Sequence, residues 1–199
     1  MAKIIGITGP SGSGKSLLCR HLDNIGIPCI DADAVYHGML MPPSPCLDAI
    51  VRVFGSDLLT ECGELDRGLL STRVFSDPTK LNLLNQTVLP IVVDEINSII
   101  ASLISGGAQT VAVDAPTLIE SGFYKSCDMI VAVIAPAEDR IRRIMARDGI
   151  SEERARQRVC SQKDDDFYSS VADITIFNNK DEFDFEKMAK ELAIAISEL

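Results

Sequence analysis

Short runs rich in Ile and Val recur along the chain without polar alternation, at residues 3–8, 28–31, 110–114, 129–135 and 173–177. Apolar side chains on both faces are what the strands of a parallel sheet carry when helices cover each side. Stretches with apolar residues at helical spacing separate them, so the order is strand–helix–strand and the expected class is α/β with a five-stranded parallel sheet. One interval is out of proportion. Residues 33–107 hold no strand pattern, and helical patterns at 47–54, 66–75 and 85–104 are punctuated by Pro42, Pro43, Pro45, Gly63 and Pro78. This reads as a helical insertion, 34–106, after the second strand. A second excursion, 147–167, is a charged helical segment between the fourth and fifth strands. The last helix is expected to start near Asp184 as its N-cap, and Phe185, Met188, Ala189, Leu192 and Ile196 form a stripe for core packing.

Composition narrows the classes. A chain of 199 residues suits one compact core with small inserted lobes. Hydrophobic residues at 46% exclude disorder as a global description. The net charge of −10 argues against a nucleic-acid partner, which needs a basic surface to displace phosphate counterions. Cysteines at 19, 29, 46, 62, 127 and 160 include no CxxC pair, so they read as reduced, mostly buried small hydrophobes rather than disulfides or zinc ligands. No signal-peptide pattern precedes the first strand, and no apolar run approaches the roughly 20 residues that span a bilayer. The expectation is a soluble, cytoplasmic protein with no membrane partner.

The strongest motif is Gly9-Pro-Ser-Gly-Ser-Gly-Lys15-Ser16, a full match to G-x-x-x-x-G-K-[ST]. It follows the first strand and opens a helical pattern over 16–25, the context this motif requires. Glycines let successive N–H groups turn inward as an anion nest at a helix N-terminus. Lys15 then reaches the β- and γ-phosphates, and the Ser16 hydroxyl can ligate Mg²⁺. The loop marks a nucleotide site without telling a kinase from a GTPase or a motor ATPase.

Acids close two strands. Asp31-Ala32-Asp33 ends the second, where carboxylates sit beside the crevice in which such sheets bind ligands. Alternation puts both on one face only if the strand persists through Asp33; if it ends earlier, one alone points into the site. A carboxylate there can accept a hydroxyl proton or hold Mg²⁺ through water, while Asp33 could instead cap the helical pattern beginning at Ala34. Asp114 ends the third strand in the Walker-B manner, which orders Mg²⁺, or simply solvates the Ala115-Pro116 turn. Arg140, Arg143 and Arg147, spaced i, i+3, i+7, share one helix face, and Arg154 and Arg158 repeat the pattern after Ser151. Guanidinium groups on a closing segment suit a transferring phosphoryl, though each could equally be a solvated partner of Asp139, Asp148, Glu152 or Glu153. His21 reads as a surface or packing residue, and His37 carries no role.

Taken in order, these strings resemble the dephospho-CoA kinase family over nearly the whole chain. The resemblance rests on the phosphate loop, Ile30-Asp31-Ala32-Asp33, Phe54-Gly55, Gly63-Glu-Leu65-Asp66-Arg67, Val74-Phe75 and Leu84-Asn85 with Pro90-Ile91. Asp114-Ala-Pro116-Thr-Leu118-Ile-Glu120, Arg147-Asp-Gly149, Arg158, Gln162 and Ala172-Asp173 with Asn178 complete it. It implies a P-loop NTPase three-layer sandwich in which 1–199 is a single kinase domain, 34–106 binds the acceptor and 147–167 is the lid. The implied reaction carries the ATP γ-phosphoryl to the 3′-hydroxyl of dephospho-CoA with Mg²⁺. Asp33 is then the base, assisted by Lys15 and Arg140. Gly12, Ser13, Gly14, Lys15, Ser16, Leu17, Arg143, Arg147 and Asn178 are expected at the nucleotide. Asp31, Asp66, Arg67, Asn85 and Pro116 are expected at the acceptor, and Ser16 and Asp114 at the metal. A monomer or small homo-oligomer is expected.

Three features depart from the family pattern. The loop carries Pro10-Ser11 where Gly-Ile is common, Leu89 stands in place of a histidine before Pro90, and Arg140 stands where glutamine is frequent. The rival readings are a kinase for a nucleoside or nucleoside monophosphate, a GTP-binding switch, and a binding protein without turnover. The switch is disfavoured because Asn179-Lys180-Asp181-Glu182 only nearly fits Asn-Lys-x-Asp and Asp114 lacks the Asp-x-x-Gly continuation.

Overall fold

The structure, a computed structural model, describes residues 2–75, 77–179 and 182–198. In chain order the elements are β1 (Lys3–Thr8), α1 (Lys15–Asn24), β2 (Cys29–Asp31), α2 (Ala32–Gly38), α3 (Pro45–Phe54), α4 (Arg67–Phe75), α5 (Pro78–Ser105) and β3 (Thr110–Asp114). There follow β4 (Met129–Ile134), α6 (Ala137–Asp148), α7 (Glu152–Cys160), α8 (Asp165–Ser169), β5 (Ile174–Phe177) and α9 (Glu182–Ser197). The chain divides into two compact units, one of residues 1–31 and 101–199, the other of residues 32–100.

The first unit holds the sheet. Among the described residues five strands pair in parallel in the order β2-β3-β1-β4-β5. Placing β1 between β3 and β4 makes its carboxyl end the point where the strand order reverses, the place ligands occupy in open parallel sheets. The register sets Ile7 beside Asp114 and Asp31 beside Asp114, so two strand-end acids share the rim into which β1 delivers the glycine loop. Alternation then sorts the strand residues by face. Ile5, Ile7, Val131 and Val133 pack with Leu18 and Leu22 of α1 and Phe185, Ala189 and Ile196 of α9, while Ala132 and Ile134 pack with Tyr168 of α8. The stripe expected on the last helix is therefore core, as its spacing indicated. The helix itself starts at Glu182, so Asp184 lies in its first turn and does not cap it.

The second unit is helical, with a core of Leu40, Leu47, Ile50, Leu58, Val74, Leu84 and Val88 among others. Two of its helices, α3 and α5, begin earlier than their apolar spacing implied, and proline is the reason. Pro45 is at N1 of α3, behind Ser44, whose Oγ accepts from the Cys46 and Leu47 N–H groups at 3.2 and 3.3 Å. Pro78 likewise starts α5, seven residues ahead of the expected start at 85. A proline read as punctuation is also the residue best suited to a first helical position, because its missing N–H has no intrahelical partner there. Pro90 is accommodated inside α5.

The helix α5 is long and apolar enough to cross a bilayer by length and composition, with a mean hydropathy of 1.7 over its most apolar window. The sequence expectation of no such run is corrected to that extent. It is enclosed along one face only, 22% of that window being buried. Leu84, Val88, Val92, Ile96 and Ile100, each four residues apart, are buried, and Asp94 and Glu95 stand exposed in its middle.

The segment 147–167 is also resolved further than its pattern allowed. Helix α6 runs to Asp148, with Arg147 in its last turn, α7 starts behind Ser151, and α8 starts behind Asp164, whose carboxylate accepts the Phe167 N–H at 2.9 Å. All six cysteines are free; Cys19 and Cys46 are buried, whereas Cys62 and Cys160 are exposed, against the expectation of mostly buried thiols.

One backbone contact fixes where the loop leaves β1. Gly9 has φ +135°, and a Cβ on it would lie 2.2 Å from the Val133 carbonyl oxygen of β4. Substituting Gly9→Ala forces the loop off β4 and is expected to lower stability by roughly 2–4 kcal/mol. Thermal unfolding should register a midpoint fall of roughly 5–15 °C; an unchanged midpoint would mean that this contact does not hold the loop.

Candidate active site: a glycine loop held by arginines

The loop Gly9–Ser16 joins β1 to α1 through three glycines at positive φ, Gly9 at +135°, Gly12 at +80° and Gly14 at +109°. The left-handed Gly14 is the N-cap of α1, so the helix starts at Lys15 with its first N–H groups directed into the concave side of the turn. A Cβ at Gly14 would meet Asn178 Nδ2 at 2.5 Å and the Phe185 ring at 3.1 Å, which leaves glycine as the residue the packing accepts. Lys15 is 8% exposed, and its Nζ donates to the carbonyls of Gly9 at 3.0 Å and Pro10 at 3.4 Å. The cation is thus tethered across the loop it serves. Ser16 is exposed at the first turn of α1. Leu17, expected at the nucleotide, packs against the core instead, and its N–H is taken by the Gly14 carbonyl at 3.0 Å.

Behind the loop stands the arginine face of α6. Ile141 and Ile144 anchor that helix by packing with Ala155 of α7, which turns Arg140, Arg143 and Arg147 toward the loop. The side chain of Arg143 donates to the Gly12 and Ser13 carbonyls at 3.2 and 3.4 Å and to Asn178 Oδ1 at 3.0 Å. The Asn178 amide in turn donates to the Ser13 carbonyl at 2.8 Å and is buried. Arg140 is 5% exposed; its Nε donates to the Ser11 carbonyl at 3.1 Å and its Nη2 to Gln162 Oε1 at 2.5 Å. Burial pushes the Arg140 guanidinium below its ordinary pKa, opposed by the negative charge of Asp165. Arg147, exposed at the end of the helix, reaches Ser11 Oγ at 3.4 Å and pairs with Asp148 at 2.7 Å.

The structure therefore gathers Gly12, Ser13, Lys15, Arg140, Arg143, Arg147 and Asn178 on one loop. Two members of that assembly had no role from sequence spacing, Ser11 and Gln162. Gln162 lies 151 residues from Ser11, and no local pattern points from one to the other. Other arginines of the basic stretch take the plainer reading. Arg142 pairs with Asp139, Arg156 with Glu138 and Glu152, and Arg158 with Asp148, all largely exposed pairs of small energetic weight.

The acids divide between the two units. Asp114 sits at the end of β3, and Cys19 of α1 donates its thiol to Asp114 Oδ2 at 3.7 Å. The Cys19 pKa is pushed far up, first by its hydrogen bond with Cys29, then by burial and the Asp114 charge, so the thiol stays a donor. Asp31 ends β2 and is exposed, and Pro116 follows β3 in a turn. Strand β2 stops at Asp31 and α2 starts at Ala32, so the condition for Asp31 and Asp33 to share a strand face is not met. Asp33 also cannot be the cap; it lies inside the first turn of α2, exposed. In the second unit Asp66 caps α4 by accepting the Leu69 N–H at 2.8 Å, Arg67 is exposed at the start of that helix, and Asn85 is half-buried in α5. Lys180 and Asp181, central to the near-match to Asn-Lys-x-Asp, lie outside the described residues.

Comparison with known proteins gives this arrangement its family. The dephospho-CoA kinase family model matches residues 3–184. A dephospho-CoA kinase of Corynebacterium diphtheriae is 37% identical over 190 residues, covering 96% of this chain and 95% of that protein. Among solved structures, a Thermus thermophilus protein superposes with a TM-score of 0.81 at 31% identity, covering 100% of this chain and 98% of the other. A dephospho-CoA kinase from Campylobacter jejuni does so with a TM-score of 0.72 at 27% identity, over the same shares. The fold is thus that of a P-loop kinase, and the chain belongs to the dephospho-CoA kinase family.

Proposed function

We propose the following division of labour for transfer of the ATP γ-phosphoryl to the 3′-hydroxyl of dephospho-CoA, carried by one observation: a glycine loop whose inward N–H groups, tethered Lys15 and arginine backing form a single anion cradle. The N–H groups of Gly12, Gly14, Lys15 and Ser16 and the Lys15 ammonium bind the ATP β- and γ-phosphates, while the Ser13 N–H closes the turn on the Pro10 carbonyl at 3.2 Å. Arg143 and Asn178 hold the loop's inner carbonyls away from the anion, and Arg147 swings from Asp148 to the phosphates when 147–167 closes as a lid and excludes water. Residues 34–106 bind the acceptor, with Arg67 and Asn85 contacting it, Asp66 keeping α4 in place, and Asp31 and Pro116 at the rim. Asp33 takes the 3′-hydroxyl proton as O3′ bonds to the γ-phosphorus. The bond from that phosphorus to the bridging oxygen breaks, and ADP leaves with the electron pair.

The residues fit Mg²⁺. A hydroxyl at Ser16 and a carboxylate at Asp114, oriented by the Cys19 thiol, are hard oxygen donors. An Mg²⁺ ion needs only one or two protein oxygens where substrate phosphates and water complete its shell. When bound, the ion neutralises charge developing on the phosphate oxygens. We place the reaction in the cytoplasm, without nucleic acid or membrane, in a monomer or small homo-oligomer.

Steady-state phosphoryl transfer tests this reading, with dephospho-CoA, uridine and CMP compared as acceptors. Turnover is expected with dephospho-CoA alone, lost when EDTA chelates the divalent ion and regained with excess Mg²⁺. Turnover surviving EDTA would remove the metal role from Ser16 and Asp114, and turnover with CMP or uridine would move the acceptor assignment of 34–106.

A further inference from the structure

The arginine helix and the segment after it meet at one residue of the loop. Gln162 Oε1 accepts the Ser11 N–H at 3.2 Å and an Arg140 Nη2 hydrogen at 2.5 Å. Both neighbours are donors, so the atom between them must be the amide oxygen and not the nitrogen. The Ser11 carbonyl is taken by Arg140 Nε at 3.1 Å, and the Ser11 hydroxyl accepts from Arg147 at 3.4 Å. Each polar group of Ser11 therefore has a partner outside the loop. The next residue is packed from the same side: a Cβ at Gly12 would lie 2.8 Å from the Arg140 carbonyl oxygen and 3.0 Å from its Cα. Arg140 makes no ion pair among the described residues, and its buried charge is met by Gln162 and a carbonyl.

We propose that Gln162 and Arg140 are positioning residues for the phosphate loop, clamping Ser11 from behind so that the N–H groups of Gly12, Gly14, Lys15 and Ser16 face the nucleotide phosphates before ATP arrives. The inference rests on the nucleotide-site reading above and deepens it. A loop free to turn about the φ and ψ torsions of Ser11 and Gly12 has to be ordered each time ATP binds, and that cost appears as lost affinity. Gln162 removes it by occupying an N–H that points away from the phosphates. Because Gln162 follows α7, the clamp also ties the root of the 147–167 segment to the loop.

The test is ADP titration by calorimetry on the full chain, paired with amide hydrogen exchange of the ligand-free protein. Gln162→Met keeps the volume and removes the acceptor; it is expected to weaken ADP binding about ten- to hundredfold, as loss of hydrogen bonds to a charged donor does. It should also speed exchange at the Ser11 amide by about tenfold or more while leaving the thermal midpoint within about 3 °C. Gln162→Glu keeps the oxygen acceptor and should hold Ser11 exchange near wild type. Wild-type ADP affinity and Ser11 protection in Gln162→Met would overturn the clamp, as would equal loss of protection in both variants. Lys15→Ala separates the two levels. If it too binds ADP normally, the nucleotide-site reading fails; if it alone loses binding, only the clamp does.

Discussion

Replacing Asp33 with asparagine is expected to lower kcat by about a thousandfold while ATP affinity stays within about threefold of wild type, because a positioned general base contributes 10²–10⁴. The substitution keeps size and hydrogen-bonding capacity and removes only the ability to take a proton. The neighbouring acid supplies the internal control. Asp31 ends β2 beside Asp114 at the sheet rim, whereas Asp33 belongs to the first turn of α2, so the two carboxylates are carried on different elements. Asp31→Asn should change kcat by no more than about tenfold, with the loss falling mainly on the KM for dephospho-CoA. Pre-steady-state transfer and ATP titration on both variants decide the matter. A large kcat loss in Asp31→Asn with near-normal turnover in Asp33→Asn would exchange their roles.

Lys15→Ala carries the second large effect. The ammonium is nearly enclosed and hydrogen-bonded to two carbonyls of its own loop, so it is already in place when phosphate binds. Removing a preorganised donor of this kind costs about 10²–10³ in rate, and losing charge-assisted bonds to phosphate weakens ATP binding as well. We expect kcat/KM for ATP to fall about a thousandfold, from both parameters together. Lys15→Arg should not restore it, since a planar guanidinium does not fit between the Gly9 and Pro10 carbonyls as a compact ammonium does. Recovery of more than a tenth of wild-type kcat/KM in the arginine variant would mean that charge alone, without this tethering, is what the site requires.

Where expectation and structure part, the reason is physical in each case. Pro45 and Pro78 mark the ends of apolar periodicity, but proline also opens helices, and only the fold tells which use is made of it. Asp184 has the chemistry of an N-cap yet lies inside α9, and Asp66, expected at the acceptor, is an N-cap. The same carboxylate serves either purpose, and its distance to a backbone N–H decides. Cys62, between Glu61 and Gly63, and Cys160, ahead of Ser161 and Gln162, have polar neighbours and are exposed.

The sequence by itself determined the class, the parallel sheet, the nucleotide loop and the family, because each is written in local periodicity or in a contiguous string. Five apolar runs need no partner to be recognised as strands buried on both faces. The loop's glycines and Lys15 must be adjacent in sequence for one turn to cradle an anion. What only the tertiary structure decided is which groups stand behind that turn. Arg140 and Arg143 could each have been solvated like Arg142; the burial of Ile141 and Ile144 turns them to the loop instead. Gln162 is a polar residue without a pattern until the fold brings its oxygen to the Ser11 N–H. Hydrogen bonds between distant segments depend on how helices pack, and packing leaves no periodic trace at the single residue that receives the bond.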